Sequence, residues 1–348
     1  MCAPLPSNKQ ILICRWKCRY GKWMTNGLPR NGVTRCRRRR KMIMYVDVLY
    51  GGPGHERAIS IQSGQAFAAA LRERGFDVME VMVDQQCDCS ALRAQAVVAN
   101  LIHGQYGEDG QLQQVLQEAG KSFIGSDAQA SALCMDKGRM RAKAQEHGVP
   151  VAWGMVLDPR NPAAARDCVP PTMTGLVIKP CADGSSVGMR LLPSKSFLLP
   201  ALEELLAELG PVPFLVEERL PGPEYSVPLL ERDGKIHPLP PICIIPAQGV
   251  YDFAAKYERN DTQYTKLDDP ALYALLQERA VTCFRSAGCR HLARVDFMAA
   301  ADGDPKMLEV NTLPGFTSHS LVPMAAQWEG MSFAQLCEHV VGLAAPVA

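Results

Sequence analysis

Short apolar runs alternate with amphipathic segments between residues 44 and 125. The pattern predicts strands at 44–50, 77–83, 96–102 and 122–124, and helices at 60–74 and 111–119. Strands that alternate with helices usually form parallel sheets, so this part of the chain is predicted to be a parallel α/β domain. Ligands of such sheets bind beyond the carboxyl ends of the strands, where the segments 51–57 and 103–110 lie.

A second set of elements follows, with more turns between the strands. The pattern predicts helices at 136–146 and 272–287, and strands at 151–157, 176–180, 189–192, 214–218, 224–230, 292–298 and 307–311. A Gly/Ser turn at 182–188 predicts a hairpin with a mobile tip. The stretch 249–265 is polar and rich in turn-forming residues, so it predicts a long loop of the kind that often serves as a lid.

The last two predicted strands are joined by an Asp-Gly dipeptide at 302–303, which is a strong hairpin signal. If the dipeptide centres the hairpin, Asp296 faces Glu309 and Arg294 faces Asn311, all on one side of the sheet. Two carboxylates about 5 Å apart repel by about 3 kcal/mol at an effective dielectric of about 20. Oxygen ligands of this kind suit Mg²⁺, and the alternative is a solvated face that the arginine partly neutralises.

Lys179 ends an apolar strand directly before the Gly/Ser turn. Backbone N–H groups and Ser hydroxyls of such a turn can cover phosphate groups, and a neighbouring Lys supplies positive charge. The sequence does not have the G-x-x-x-x-G-K-[ST] pattern of a Walker A loop, and a plain turn is the alternative. Lys137 and Lys256 lie in polar surroundings and, taken alone, are expected to be solvated side chains.

Two glycine-containing segments follow predicted strands. Segment 51–57 does not fit the dinucleotide pattern G-x-G-x-x-G, because a charged residue stands where the third glycine would pack against the sheet, so an NAD site is disfavoured. Gly315 follows the last strand, and a glycine there lets a backbone N–H approach a substrate closely. The seven His do not cluster in the sequence, and no Ser/His/Asp arrangement is evident.

Charge is distributed unevenly along a chain whose formal charge is only +1. Residues 1–41 contain 12 of the 37 Lys and Arg and none of the 36 Asp and Glu, so this segment carries +12 and the remainder −11. The segment is expected to be a disordered tail or an extension from a misassigned start codon. An arm that binds nucleic acid or anionic lipid, and a transit peptide, are the alternatives.

The remaining composition is that of a globular protein, 47% apolar and 21% charged, with a length that suits two or three domains. No run approaches the roughly 20 apolar residues of a membrane helix, and no secretory signal is evident. Nine of the thirteen Cys follow residue 41, an odd number that cannot all pair. Reduced thiols in a cytoplasmic protein are therefore expected.

Several motifs in residues 44–345 resemble the D-alanine–D-alanine ligase family of the ATP-grasp superfamily. The matching stretches, in the family's order, are LYGGPGHERAISIQSGQAFAAAL, NLIHGQYGEDGQLQQVLQEAG, GSDAQASALCMDKGRM, VIKPCADGSSVGM, VEERLPGPEYSV, YDFAAKYERNDTQY and RVDFMAAADGDPKMLEVNTLPGFTSHSLVPMAAQ. Residues 1–41 have no counterpart in the family pattern. Two departures are an Asp at 183, where Glu is common, and Arg219 in a variable stretch.

This resemblance implies an α+β ATP-grasp protein, with an N-terminal parallel α/β domain followed by a two-domain ATP-grasp module. The implied domains are 42–125, 126–216 and 217–348, with ATP between the last two. The ATP-binding residues implied by the matched motifs are Lys137, Lys179, Ser186, Glu217, Leu220, Glu224 and Lys256. The implied ligands of two Mg²⁺ or Mn²⁺ ions are Asp296, Glu309 and Asn311.

The resemblance also implies a reaction. One D-alanine is activated by ATP as an acyl phosphate and joined to a second D-alanine, for peptidoglycan precursor synthesis. The implied catalytic residues are Glu56, Ser185, Tyr257, Arg294 and Gly315, and the implied substrate-binding residues are His103, Ser320 and Leu321. Tyr257 in the lid favours D-alanine over D-lactate as the second substrate.

Three functional hypotheses follow. The first is the D-alanine ligase, expected to be a cytoplasmic homodimer with no nucleic-acid or membrane partner. The second is a D-alanine–D-lactate or D-serine ligase, or another ATP-grasp ligase that joins a carboxylate to an amine. The third is a non-enzymatic binder that acts through the basic segment 1–41.

Overall fold

The structure is a computed structural model that describes residues 44–158, 160, 168–170, 173, 175–184, 187–247, 259 and 261–345. The helices in this part of the chain are α1 (Arg57–Glu73), α2 (Gln111–Glu118), α3 (Ala128–Met135), α4 (Lys137–Glu146), α5 (Leu198–Leu209), α6 (Pro270–Ser286), α7 (Leu321–Trp328) and α8 (Phe333–Ala344). The strands are β1 (Tyr45–Gly51), β2 (Asp77–Val83), β3 (Val97–Asn100), β4 (Gly154–Leu157), β5 (Leu176–Pro180), β6 (Arg190–Leu192), β7 (Phe214–Glu218), β8 (Glu224–Arg232), β9 (Lys235–Pro238), β10 (Ile242–Ile245), β11 (Gln263–Lys266), β12 (Leu292–Ala299) and β13 (Pro305–Asn311).

The first sheet is parallel, with strand order β2-β1-β3. Val46 and Val48 of β1 are fully buried and pack in one core with Phe67 and Leu71 of α1. Apolar residues spaced three or four apart on a helix lie on one face, which explains why α1 covers the sheet. The predicted parallel α/β arrangement is confirmed, although the strand expected at 122–124 is reduced to a single bridge between Phe123 and Val98.

The second sheet is antiparallel, with strand order β4-β7-β5-β6. Strands β5 and β6 form the predicted hairpin on either side of the Gly/Ser turn. One face of the sheet packs Ile178, Phe214 and Val216 against Leu202 and Leu205 of α5. Helix α5 was not predicted from the sequence, and neither were α3, α7 and α8.

The third sheet has the order β11-β10-β8-β12-β13, with β9 paired to β8 at one side. Helix α6 contributes Phe284 to a core with Val295 and Phe297 of β12. Helices α7 and α8 belong to another core, in which Val322 and Val340 pack with residues of both this sheet and β1. The third sheet and the parallel sheet therefore share one hydrophobic core.

One predicted loop is partly a strand. The polar stretch 249–265 was expected to be loop throughout, but its last residues begin β11, which pairs with β10 from Ile242 to Ile245. The backbone hydrogen bonds to an apolar neighbouring strand form irrespective of side-chain polarity, so the sequence pattern missed them. Residues 249–258 and 260 of this stretch, and all of 1–43, lie outside the described residues. The proposed boundaries after residues 125 and 216 stay predictions.

Candidate active site

The hairpin of β12 and β13 brings four polar side chains together. Arg294 pairs with Asn311 and Asp296 pairs with Glu309, which confirms the predicted register. The turn differs from the expectation, because Ala299 pairs with Pro305 and five residues separate the strands. A β-bulge after Asp296 adds one residue to β13 and restores the register. Without the bulge, the two carboxylates would point to opposite faces of the sheet.

Asp296 is buried and receives hydrogen bonds from two residues. Arg294 donates from Nε to Oδ1 at 2.9 Å and from Nη2 to Oδ2 at 2.7 Å. The hydroxyl of Ser226, on β8, donates to Oδ1 at 2.6 Å. Sequence reasoning missed Ser226, although its signal was available as a lone polar residue between the buried Tyr225 and Val227 of an apolar strand.

Glu309 lies between two cations. The Lys137 ammonium is 3.5 Å from its Oε2, and the Arg294 guanidinium is 3.9 Å from its Oε1. Lys137 is buried at the first position of α4, where it also donates to the Asp183 carbonyl at 2.6 Å. Asp136 caps the helix by accepting from the Arg139 N–H. The polar sequence around Lys137, taken alone, predicted a solvated side chain, and this prediction is wrong.

Glu217 is a second buried carboxylate held by two cations. The Lys179 ammonium lies 2.5 Å from Oε1, and Arg141 Nη1 lies 3.0 Å from Oε2. Lys179 reaches Glu217 because β5 and β7 are neighbours in the second sheet. Arg141 was not singled out from the sequence, because its position in a polar helix resembles that of a solvated residue.

Two cavities surround these side chains. The larger, about 720 Å³, is lined by Lys179, Glu217, Leu220, Glu224 and Asp296, among others. The smaller, about 320 Å³, is lined by Glu56, His103, Arg294, Asn311, Ser320 and Leu321, among others. Lys137, Asp183 and Glu309 line both. The two cavities therefore meet at the Lys137–Glu309 pair.

Glu56 lies between two glycines at one end of the smaller cavity. A Cβ atom built on Gly104 would lie 2.6 Å from Glu56 Oε2, and one on Gly184 would lie 2.7 Å from the same oxygen. These distances are too short for a real Cβ contact, so an alanine at either position would push the Glu56 carboxylate aside, and Gly104 also has a φ of 72°, which favours glycine. The first βα connection and the tip of the β5–β6 hairpin thus approach each other at Glu56.

His103 is buried beside the same cavity. Its Nδ1 lies 3.1 Å from Glu108 Oε1, and its Nε2 lies 3.1 Å from the Ser63 hydroxyl. With Nδ1 protonated, the ring donates to the carboxylate and accepts from the hydroxyl. Both nitrogens are therefore engaged by protein, and sequence reasoning missed both partners.

Ser320 and Gly315 lie together at the start of α7. The Ser320 hydroxyl accepts from the Thr317 N–H at 3.1 Å and lies 2.9 Å from the Thr317 hydroxyl. A Cβ built on Gly315 would lie 2.9 Å from Ser320 Oγ, so glycine permits this close approach. Leu321 follows as the first residue of the helix.

Two buried thiols have raised pKa values, and one of them, Cys134, lines the smaller cavity. The pKa of Cys134 is raised by its hydrogen bond with Cys289 and by burial. Burial raises the pKa of Cys181 to about 11. These thiols are therefore protonated at neutral pH and are not nucleophiles there.

Four predicted site residues, Ser185, Ser186, Lys256 and Tyr257, lie outside the described residues. Within the described ranges, no group of three or more His, Cys, Asp and Glu is arranged to hold a metal ion. None of the helices among the described residues is long and apolar enough to cross a membrane.

Comparison with known proteins assigns the chain to a family. A sequence model described as the D-ala D-ala ligase C-terminus matches residues 145–342. A D-alanine–D-alanine ligase from Anaeromyxobacter dehalogenans is 41% identical over 307 residues, which cover 86% of this chain and 96% of the relative. The chain belongs to the D-alanine–D-alanine ligase family. Its members are ATP-dependent ligases, so the predicted enzyme class is confirmed.

Solved structures of D-alanine ligases have the same fold. The VanG D-Ala:D-Ser ligase from Enterococcus faecalis superimposes with a TM-score of 0.75 at 27% identity, over 87% of this chain and 99% of that one. The D-alanine–D-alanine ligase from Bacillus anthracis complexed with ATP gives a TM-score of 0.71 at 25% identity, over 86% and 97% of the two chains. The predicted ATP-grasp fold is confirmed.

Proposed function

We propose that this chain joins two D-alanine molecules into D-alanyl-D-alanine at the expense of ATP, in the cytoplasm, for peptidoglycan precursor synthesis. The observation that carries the proposal is the meeting of the two cavities at Lys137 and Glu309. The larger cavity has the size and apolar lining for a nucleotide, and the smaller suits two small amino acids. The phosphate to be transferred then lies at the junction.

The first step is attack of the carboxylate of one D-alanine on the γ-phosphate of ATP, which gives an acyl phosphate and ADP. Both reactants are anions, so the site must supply positive charge. Lys137 and Lys179 supply it from the lining of the larger cavity. The family resemblance implies a third ammonium from Lys256, which lies outside the described residues. A site that excludes water strengthens each of these interactions.

Asp296, Glu309 and Asn311 fit Mg²⁺ or Mn²⁺, because all three offer oxygen atoms on one face of the hairpin. A family member is expected to hold two such ions here. When bound, the metal would neutralise charge on the transferring phosphate. Neighbouring side chains orient both carboxylates, and the Ser226 hydroxyl orients Asp296 by donating a hydrogen bond to it.

The second step is attack of the amine of the other D-alanine on the activated carbonyl. The amine must first lose a proton, because an ammonium group is not a nucleophile. Arg294 and the Gly315 N–H would stabilise the oxyanion that forms. Release of phosphate then completes the dipeptide. Arg294 lines the smaller cavity beside Asn311, which supports this role.

The smaller cavity provides a place for each amino acid. Glu56 would bind the ammonium of the first D-alanine, with Ser185, Tyr257 and His103 around it. Gly104 and Gly184 lie close to the Glu56 carboxylate, which supports a fixed orientation of that side chain. At the other end, Ser320 and Leu321 would hold the carboxylate of the second D-alanine.

A D-alanine–D-serine ligase is the second candidate, because the chain is similar to the VanG D-Ala:D-Ser ligase over 87% of its length. Tyr257 favours D-alanine instead. The family resemblance further supports a homodimer. In this proposal, the basic segment 1–41 takes no part in the chemistry of the site.

The test is a coupled assay of ADP release. D-Alanine should support turnover and L-alanine should not. Mass spectrometry of the products formed when D-serine or D-lactate competes with D-alanine separates the two candidates. Folded protein that binds ATP but shows no turnover dependent on D-alanine would overturn the proposal.

A further inference from the structure

Arg141 is a buried cation next to the larger cavity. Glu217 lines that cavity, whereas its partner Arg141 does not line it and has only 7% of its side chain exposed. Its Nη1 lies 3.0 Å from Glu217 Oε2, while Nη2 donates to the Ala152 carbonyl at 2.7 Å. Both terminal nitrogens of the guanidinium are thus engaged, and their partners, Glu217 and Ala152, are far apart in the sequence.

The backbone is shaped to admit this guanidinium. Gly154 of β4 pairs with Glu217 of β7, and a Cβ built on Gly154 would lie 2.9 Å from Arg141 Nη2. Any larger residue at Gly154 would press on the arginine side chain. The Arg141 side chain of helix α4 therefore reaches Glu217 past Gly154, where the absence of a side chain leaves room for the guanidinium.

The two cationic partners of Glu217 differ in what else they contact. Lys179 lines the larger cavity and is a proposed phosphate ligand, so its ammonium would be shared with a bound nucleotide. Arg141 instead donates to the backbone carbonyl of Ala152, and neither of these two residues lines that cavity. A buried carboxylate that loses its counter-ion is strongly destabilised. Arg141 can therefore stay paired with Glu217 when the Lys179 ammonium binds a phosphate group.

We propose, on the basis of the function proposed above, that Arg141 is a positioning residue that holds the Glu217 carboxylate as hydrogen-bond acceptor for the 6-amino group of adenine. An ionised carboxylate only accepts hydrogen bonds. It therefore selects a purine with an amino donor and repels guanine, whose O6 is also an acceptor. Val177, Leu220 and Met298 in the same cavity supply apolar surface for a flat base.

The test compares ATP with purine riboside 5′-triphosphate, which has no 6-amino group. Binding of both is titrated to the full chain and to the variants Arg141→Met and Arg141→Lys. The wild type should bind ATP about tenfold more tightly, as expected for a hydrogen bond to a charged group. Arg141→Met should bind both nucleotides equally, with kcat at saturating ATP within about twofold of the wild type. Arg141→Lys should recover part of the preference.

Arg139→Met is the matched control, because Arg139 is an exposed arginine on the same helix. It should retain the wild-type preference for ATP. Equal weakening of both nucleotides in Arg141→Met would show a structural role only and would overturn the proposal. If that variant does not fold, Arg141→Gln is titrated in its place, and an unchanged preference for ATP in Arg141→Gln would overturn the proposal as well. A wild type that prefers ATP but does not ligate D-alanine contradicts the proposed substrate and not the role of Arg141.

Discussion

Ser226 and Asp296 face each other on neighbouring strands, and the serine hydroxyl donates a 2.6 Å hydrogen bond to the carboxylate. The serine is fully buried and Asp296 is nearly so. The hydroxyl and the Arg294 guanidinium together hold the direction of a carboxylate that is proposed to bind metal. Second contacts of this kind commonly orient metal ligands.

Ser226→Ala is expected to raise the Mg²⁺ concentration needed for half-maximal turnover by about tenfold, because the carboxylate loses one of its two fixed partners. The KM for D-alanine should change little, since Ser226 does not line the smaller cavity. Steady-state rates measured over a series of Mg²⁺ concentrations check this. Ser226→Thr keeps the hydroxyl and should respond like the wild type; an equally large shift in that variant would contradict the explanation.

Lys137→Met is expected to lower kcat by at least about 100-fold, because the junction of the two cavities loses the ammonium beside the transferring phosphate. ATP binding, measured by titration, should weaken less than turnover falls. Lys143→Met is the control on the same helix, because Lys143 is partly exposed and pairs with Glu146. Similar losses in both variants would show that the helix, and not the ammonium at the junction, limits activity.

Gly184→Ala places a methyl group 2.7 Å from Glu56 Oε2 and should displace that carboxylate. The KM for the first D-alanine is expected to rise by about tenfold or more, while the KM for ATP is affected less. Initial rates with D-alanine varied over a wide range check this. Gly342→Ala in α8 meets no atom within 4 Å and should leave both constants unchanged. A normal KM for D-alanine in Gly184→Ala would remove Glu56 from the substrate site.

His291 should make the free energy of unfolding depend on pH. Burial, with a contribution from Arg290, lowers its pKa from 6.5 to about 4, and its Nδ1 accepts a hydrogen bond from the Gly125 N–H at 3.1 Å. The unfolded chain therefore binds a proton at a higher pH than the folded chain. The stabilisation is complete above pH 6.5 and is lost as the pH falls toward 4, by up to about 3 kcal/mol.

His291→Asn separates this contribution from those of other groups. Asparagine tolerates the left-handed backbone at this position, where φ is 64°, and its side-chain oxygen can accept from Gly125. Urea unfolding at a series of pH values should give a shallower slope between pH 6.5 and 4 for the variant than for the wild type. Parallel slopes would show that His291 does not titrate in this range.

Most of the elements that build the site were predictable because their signals are local. Strands β2, β5 and β7 begin and end where the apolar runs do, and the Asp-Gly turn identified the hairpin that carries Asp296 and Glu309. Their pairing was predicted by assuming that the Asp-Gly dipeptide centres the hairpin, and in the structure it does not. The five-residue turn and the bulge in β13 offset each other, and neither leaves a clear mark in the alternation of side chains.

Long-range partners were not predictable in the same way. Ser226 and Asp296 are 70 residues apart, and Arg141 and Glu217 are 76 apart. An arginine in a polar helix has the same local pattern whether it faces water or a buried carboxylate. Only the tertiary fold, which brings Arg141 of α4 next to Glu217 of β7, decides which one it meets.

The amino-acid sequence by itself indicated the family, the parallel α/β arrangement of residues 44–125 and the shared face of Asp296 and Glu309. These depend on side-chain periodicity and on motifs of a few residues, which act over short distances along the chain. The tertiary structure alone decided that two cavities meet at Lys137 and Glu309 and that Arg141 lies behind Glu217. The reason is physical: periodicity specifies which side of an element is buried, whereas the neighbour on that side depends on how distant segments pack.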